Sequence, residues 1–126
     1  MGTPKAHNSA FLSLVNDAKS RIREINIEQY KQMVASKEPH VLIDIREESE
    51  WAAGHASGAM QLGKGIIERD IETKVPGKDT KLVLYCGGGF RSALSADALR
   101  QMGYTNVISL DGGWRALQSS GLPLEK

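Results

Sequence analysis

Cys86 is the chain's single cysteine. It stands in Leu84-Tyr85-Cys86-Gly87-Gly88-Gly89-Phe90-Arg91-Ser92, between an apolar run and three consecutive glycines, with an arginine and a serine just beyond. A thiol in that setting can act as a nucleophile. If the apolar run is a strand and a helix starts near Arg91 or Ser92, the Gly87 to Phe90 loop carries backbone N–H groups without intrahelical acceptors. The helix dipole adds positive potential beside them. Glycines lack Cβ and take the left-handed conformations that let such amides converge on one point. The expected product is a cradle for an anion, and the same amides, joined by the Arg91 charge, favour thiolate over thiol. The plainer alternative, a buried cysteine at a strand end followed by an ordinary turn, does not explain the order strand, Cys, Gly-Gly-Gly, Arg, helix.

Other loop chemistries fit the residues less well. "GGGFRS" lacks the Gly-Lys-Ser/Thr ending of the nucleotide-binding phosphate loop and the spaced Gly-x-Gly-x-x-Gly of dinucleotide binders, so no nucleotide cofactor is expected. Ser92 has no Gly-x-Ser-x-Gly elbow around it, and its expected task is to cap the helix.

The elements that must position this loop are readable from periodicity. From Ser9 to Arg23, Leu12, Val15, Ala18 and Ile22 recur at helical spacing, with Phe11 and Leu14 broadening the stripe. They predict an N-terminal amphipathic helix that packs on the domain or on a partner. Asn26 and Gln29 have capping-box spacing, so a short helix begins there and ends before Pro39. His40 to Ile45 and Thr80 to Cys86 read as strands buried on both faces. Gly58 to Gly63 and Asn106 to Leu110 read as two further short strands. Helices are expected in "REESEWAAGH" up to Gly54, in "KGIIERDIETK" with Ile66, Ile67 and Ile71 on one side, in "RSALSADALRQMGY" up to Gly103, and in "GWRALQSSGLP". The alternation predicts an α/β fold: a mainly parallel sheet of about four to five strands with helices on both faces, plus the N-terminal helix. The expected division is a helical extension over 1–24 and one domain over 25–126.

Bulk properties narrow the function. The 126 residues suffice for one core without disulfides or a structural metal, and a formal net charge of +1 gives no footprint for nucleic acid or an anionic membrane. One cysteine builds no disulfide framework and no thiolate metal site of its own. The N-terminus lacks a basic start followed by a long apolar run, and no stretch approaches the roughly 20 apolar residues of a membrane span, so a cytoplasmic protein is expected. The opening Met-Gly is only part of a myristoylation signal, because Ala6 stands where Ser or Thr is required.

Three stretches in order resemble the signatures of the single-domain rhodanese family of sulfurtransferases: "LIDIREESEWAAGHASGAMQL", "LVLYCGGGFRSALSADALRQMGY" and "NVISLDGGWRAL". The resemblance spans about Ile25 to Pro123. It implies that thiolate Cys86 takes the outer sulfur of a small anionic donor such as thiosulfate and holds it as a persulfide, cradled by Gly87, Gly88, Gly89, Phe90 and Arg91. With no second cysteine, the acceptor must be an external thiol or cyanide. The resemblance also bears on related activities: cell-cycle phosphatases and arsenate reductases use a loop one residue longer than Cys86 to Arg91, and a histidine stands where this chain has Tyr85. They are the enzymatic alternative. A non-catalytic interaction module is the other, although such modules commonly lack the cysteine.

Asp44 and Arg46, at the carboxyl end of "VLIDI", are expected to support the loop edge by ion pairing. Arg91 either points at a substrate anion or pairs with a carboxylate such as Asp44. His55, in "GHASGA", is expected to hydrogen-bond between helix and strand, with no metal-ligand spacing to His7 or His40. Trp51 and Trp114 are expected to hold helices on the sheet, and Asp111-Gly112-Gly113 to turn into the last helix.

Overall fold

A computed structural model describes residues 8–126. The Met-Gly start, Ala6 and His7 lie outside the described residues. The elements in chain order are α1 (Ser9–Lys19), β1 (Arg23–Ile25), α2 (Ile27–Ala35), β2 (Val41–Asp44), α3 (Glu48–Ala53), β3 (His55–Ala56), β4 (Met60–Gln61), α4 (Ile67–Lys74), β5 (Leu82–Tyr85), α5 (Phe90–Gln101), β6 (Val107–Leu110), α6 (Gly113–Gln118) and β7 (Leu124–Glu125). Five strands form one parallel sheet in the order β1-β6-β5-β2-β4, and β3 pairs with β7 in an antiparallel ribbon. The α/β class, the parallel sheet and the flanking helices agree with the sequence reading.

Strand β5 lies centrally and is buried along its whole length. Successive side chains of a strand point to opposite faces, so Leu82, Leu84 and Cys86 join one apolar cluster, with Ile43, Ile67, Ile71, Ala96 and Leu99. Val83 and Tyr85 join the other, with Ile25, Tyr30, Ile108 and Leu117. The register Leu42↔Val83, Ile43↔Leu84 and Asp44↔Tyr85 brings the end of β2 level with the end of β5. In this way two stretches far apart in sequence meet at one sheet edge.

Helix α2 starts at the expected capping box: Asn26 Oδ1 accepts from the Gln29 amide at 2.8 Å, and Gln29 Oε1 accepts from the Asn26 amide at 2.8 Å. Helix α1 ends at Lys19, short of Arg23, and the chain then enters β1 beside β6. That strand was not anticipated, because three residues carry no periodicity and this one is defined by its partner. Val15 and Ala18 bury against the domain, and Arg21 grips Asp97 of α5 with two hydrogen bonds at 3.1 and 2.8 Å. Among the described residues no helix is long and apolar enough to cross a membrane.

Candidate active site

Helix α5 begins at Phe90, and its N-cap is Gly89 at φ +112°, a left-handed conformation that glycine adopts without a Cβ penalty. The preceding loop is held from behind by the start of α6. The Trp114 amide donates to the Cys86 carbonyl at 2.7 Å, the Arg115 amide to the Gly87 carbonyl and the Gly112 amide to the Gly88 carbonyl, both at 3.2 Å. These contacts require glycine at 113: a Cβ there would lie 2.3 Å from the Cys86 carbonyl oxygen. With its carbonyls engaged by α6, the loop directs amides at the sulfur. Gly89 N–H donates to Cys86 Sγ at 3.1 Å and Ser92 N–H at 3.4 Å.

Ser92 is the third residue of α5 and makes no cap, contrary to the expectation for it. Its hydroxyl lies 3.6 Å from Cys86 Sγ and 2.8 Å from Ser109 Oγ of β6. All three residues are buried, with Cys86 only 1% exposed. Burial pushes the Cys86 thiol up, but the Ser92 hydroxyl and the amides of Ser92, Gly89 and Gly88 outweigh it, so the net pKa lies below the ordinary thiol value. The amides and hydroxyl of the loop therefore favour thiolate over thiol at Cys86.

A pocket of about 300 Å³ opens over the sulfur, lined by Phe11, Cys86, Gly87, Gly88, Phe90, Arg91 and Arg115. Four of the proposed cradle residues thus line it, and the fifth, Gly89, bonds the sulfur directly. The carboxylate that engages Arg91 is Glu50 of α3, with Nη1–Oε1 at 3.3 Å and Nη2–Oε2 at 3.5 Å, and not Asp44. Burial opposes the Arg91 cation, while Glu50 and then the neighbouring Cys86 hold its pKa above the usual value.

Asp44 and Arg46 face the other side of the sheet from Cys86. Arg46 Nη2 donates to Asp44 Oδ2 at 2.7 Å and to the Gly54 carbonyl at 2.7 Å. Tyr85 O–H donates to the same carboxylate oxygen at 2.7 Å and accepts from the Ala56 amide at 3.1 Å. The Arg46 guanidinium lies 4.5 Å from the Trp114 ring centroid. The pair therefore ties β2, the β3 segment and α6 together beneath the loop.

His55 Nδ1 bonds the Trp51 carbonyl at 2.9 Å, the helix-to-strand link expected for it. Its ring stacks on Trp51 with centroids 3.4 Å apart, so Trp51 covers the histidine of β3. Asp111 is exposed at the turn into α6, with its Cα 3.4 Å from where a Gly89 Cβ would stand. Sequence reasoning missed Phe11, Glu50, Ser109 and Arg115 at this site. Ser109 alone left a trace, as the one polar residue inside "VISL". Among the described residues no three His, Cys, Asp or Glu side chains are grouped to hold a metal ion.

A strand-end cysteine in a glycine loop, backed by a second glycine turn on a five-stranded parallel sheet, is the architecture matched by the family model for the rhodanese-like domain over residues 26–120; this chain belongs to that family. Among curated proteins, a sulfurtransferase of Allochromatium vinosum is 37% identical over 103 residues, covering 82% of this chain and 94% of the relative. Among solved structures, a Rhodopseudomonas palustris protein of unknown function, described as a possible tyrosine phosphatase, superposes with a TM-score of 0.82 at 29% identity. It covers 98% of this chain and all of the other. The thiosulfate sulfurtransferase of Pseudomonas aeruginosa gives a TM-score of 0.74 at 28% identity over 83% of this chain, which spans a fifth of that protein.

Proposed function

We propose that this protein is a cytoplasmic sulfurtransferase that moves sulfane sulfur from thiosulfate or a related small anion to an external thiol or cyanide through a Cys86 persulfide. The observation that carries the reading is the convergence of the Gly89 amide, the Ser92 amide and the Ser92 hydroxyl on a buried Cys86 Sγ. Cys86 thiolate attacks the outer sulfur of thiosulfate; a new S–S bond forms, the old one breaks, and sulfite leaves with the electron pair. The outer persulfide sulfur then carries the charge into the pocket, where Gly87, Gly88, Phe90 and Arg91 surround it. Cyanide or a thiolate attacks that sulfur in turn, leaves as thiocyanate or as a persulfide, and returns Cys86 to thiolate. Double-displacement kinetics follow. Asp44 and Arg46 support the loop edge and exchange no proton with substrate.

Phosphatase chemistry is the second reading, favoured by the description of the Rhodopseudomonas palustris neighbour. The short span from Cys86 to Arg91 opposes it, as does the Glu50 carboxylate engaging Arg91, which would repel a phosphate dianion at that side chain. The deciding experiment is intact mass spectrometry of the reduced protein after thiosulfate, with p-nitrophenyl phosphate hydrolysis measured in parallel. Gain of one sulfur atom, reversed by cyanide with release of thiocyanate and absent in Cys86→Ser, is the expected result. Cys86-dependent phosphate release without sulfur uptake would reverse the order of the two readings.

A further inference from the structure

Two arginines line the pocket over Cys86, and they differ in what holds them. Arg91 belongs to the loop, and Glu50 of α3 engages its guanidinium with both carboxylate oxygens, at 3.3 and 3.5 Å. Arg115 comes from α6. Its amide donates to the Gly87 carbonyl, so the backbone that carries its side chain is fixed against the loop. The guanidinium reaches over the same loop, with Nη1 3.7 Å from where a Gly88 Cβ would stand. A third cation, Lys19 of α1, lies 5.2 Å from the Phe90 ring centroid and pairs with Glu24 at 3.5 Å. Asp111, one turn before Arg115, directs its Oδ1 at Gly89, 3.4 Å from a Cβ built there. Among the described residues Arg115 makes no ion pair. Carboxylates thus share the charge of Arg91 and Lys19, while Arg115 brings an uncompensated one to the pocket.

We propose that Arg115, and not the loop's own Arg91, is the residue that recognises negative charge on molecules entering the pocket, and so selects anions for attack by Cys86. The proposal rests on the sulfurtransferase reading. When the Cys86 thiolate meets an anionic donor such as thiosulfate, two negative groups close on one another, and a cation lining the pocket offsets their repulsion. The new Cys86 S–S bond forms as the donor's S–S bond breaks, and sulfite leaves with the electron pair. Total charge is the same before and after, so one fixed guanidinium serves both approach and departure. Arg115 is exposed, and its charge acts on the approach of the donor. Lowering the thiol pKa remains the work of the amides and the Ser92 hydroxyl.

The test compares second-order alkylation of Cys86 by iodoacetate and by iodoacetamide, read by intact mass. The two reagents differ in a carboxylate against a neutral amide, so their rate ratio reports charge at the pocket, and any change in thiol pKa or access cancels. Arg115→Gln should lower the iodoacetate-to-iodoacetamide ratio about three- to fivefold, the worth of one exposed charge contact, and slow thiosulfate loading by a similar factor. Arg115→Lys, which keeps the charge, should stay within about twofold of the wild type on the same scale. Arg91→Gln should move the ratio less than about twofold, because Glu50 already shares that charge. High salt should bring the wild-type ratio down toward that of Arg115→Gln. A ratio unchanged in Arg115→Gln, or one that falls as far in Arg91→Gln, overturns the proposal, while wild-type loading from thiosulfate keeps the sulfurtransferase reading intact. A wild type that takes no sulfur overturns that reading, and the alkylation ratio still decides whether Arg115 selects anions.

Discussion

The side chains of Tyr85 and Cys86 leave the same strand end on opposite faces of the sheet, and each meets a different kind of polar partner. Tyr85 meets charge: a sealed Asp44–Arg46 pair, both residues almost fully buried, with Trp114 alongside. Cys86 meets chiefly neutral groups, two amides and a serine hydroxyl that also bonds Ser109, with the Arg91 guanidinium beside them shared with Glu50. A full positive charge bonded to the sulfur would hold the thiolate more tightly but would also oppose its departure into a new bond. Amides and hydroxyls stabilise negative sulfur while leaving it reactive. The charged cluster is accordingly placed where nothing reacts, and it fixes the elements whose amides do the polarising.

The sharpest way to break this comparison is Cys86→Ser, which should abolish sulfur loading completely while leaving the protein folded. Next comes Gly113→Ala. The added methyl meets the Cys86 carbonyl and a φ of +48°, so a loss of about 2–5 kcal/mol in denaturant unfolding is expected, together with loss of loading. Asp44→Ala leaves Arg46 buried without its anion and should cost about 3–5 kcal/mol. The loading rate per folded molecule should fall far less than stability, because the pair does not touch the sulfur.

Ser92→Ala should leave the fold intact and act on the thiol. Alkylation of Cys86 by iodoacetamide near neutral pH is expected to slow about two- to tenfold, the worth of one ordinary hydrogen bond, and its pH midpoint to move upward. Stability against pH tests the same point. Because the folded Cys86 pKa lies below the unfolded one, the stability margin of wild type over Cys86→Ser is fully present above the unfolded value and is lost as pH falls through the folded value. A margin that grew on acidification would reject the lowered pKa. The smallest effect belongs to Glu50→Gln: the Arg91 pair is about one-third exposed and should contribute under about 1 kcal/mol, with a modest change in loading as Arg91 is freed.

The sequence made the cysteine loop legible because its features are local. Strand, cysteine, glycines and helix follow one another within a few residues, and Asn26 with Gln29 announced a cap in the same way. Strand β1 and the β3–β7 ribbon were not legible, since two or three residues show no alternation and exist only through distant partners. Ser92 was misread for a related reason. Its neighbours along the chain favour a cap, whereas its actual partners, Cys86 and Ser109, come from two separate strand segments brought together by the parallel register. Phe11 and Arg115 reach the pocket through the docking of whole helices, which no short motif encodes.

The bonds from the Gly112, Trp114 and Arg115 amides to the carbonyls of Gly88, Cys86 and Gly87 carry a consequence for the order in which the protein becomes competent. A chain emerging from the ribosome has its thiol, its glycines and α5 well before α6 exists. Until α6 docks, the loop carbonyls have water as their partner and nothing holds the amides toward sulfur. The arrangement that lowers the thiol pKa is thus completed only by the closing segment of the domain.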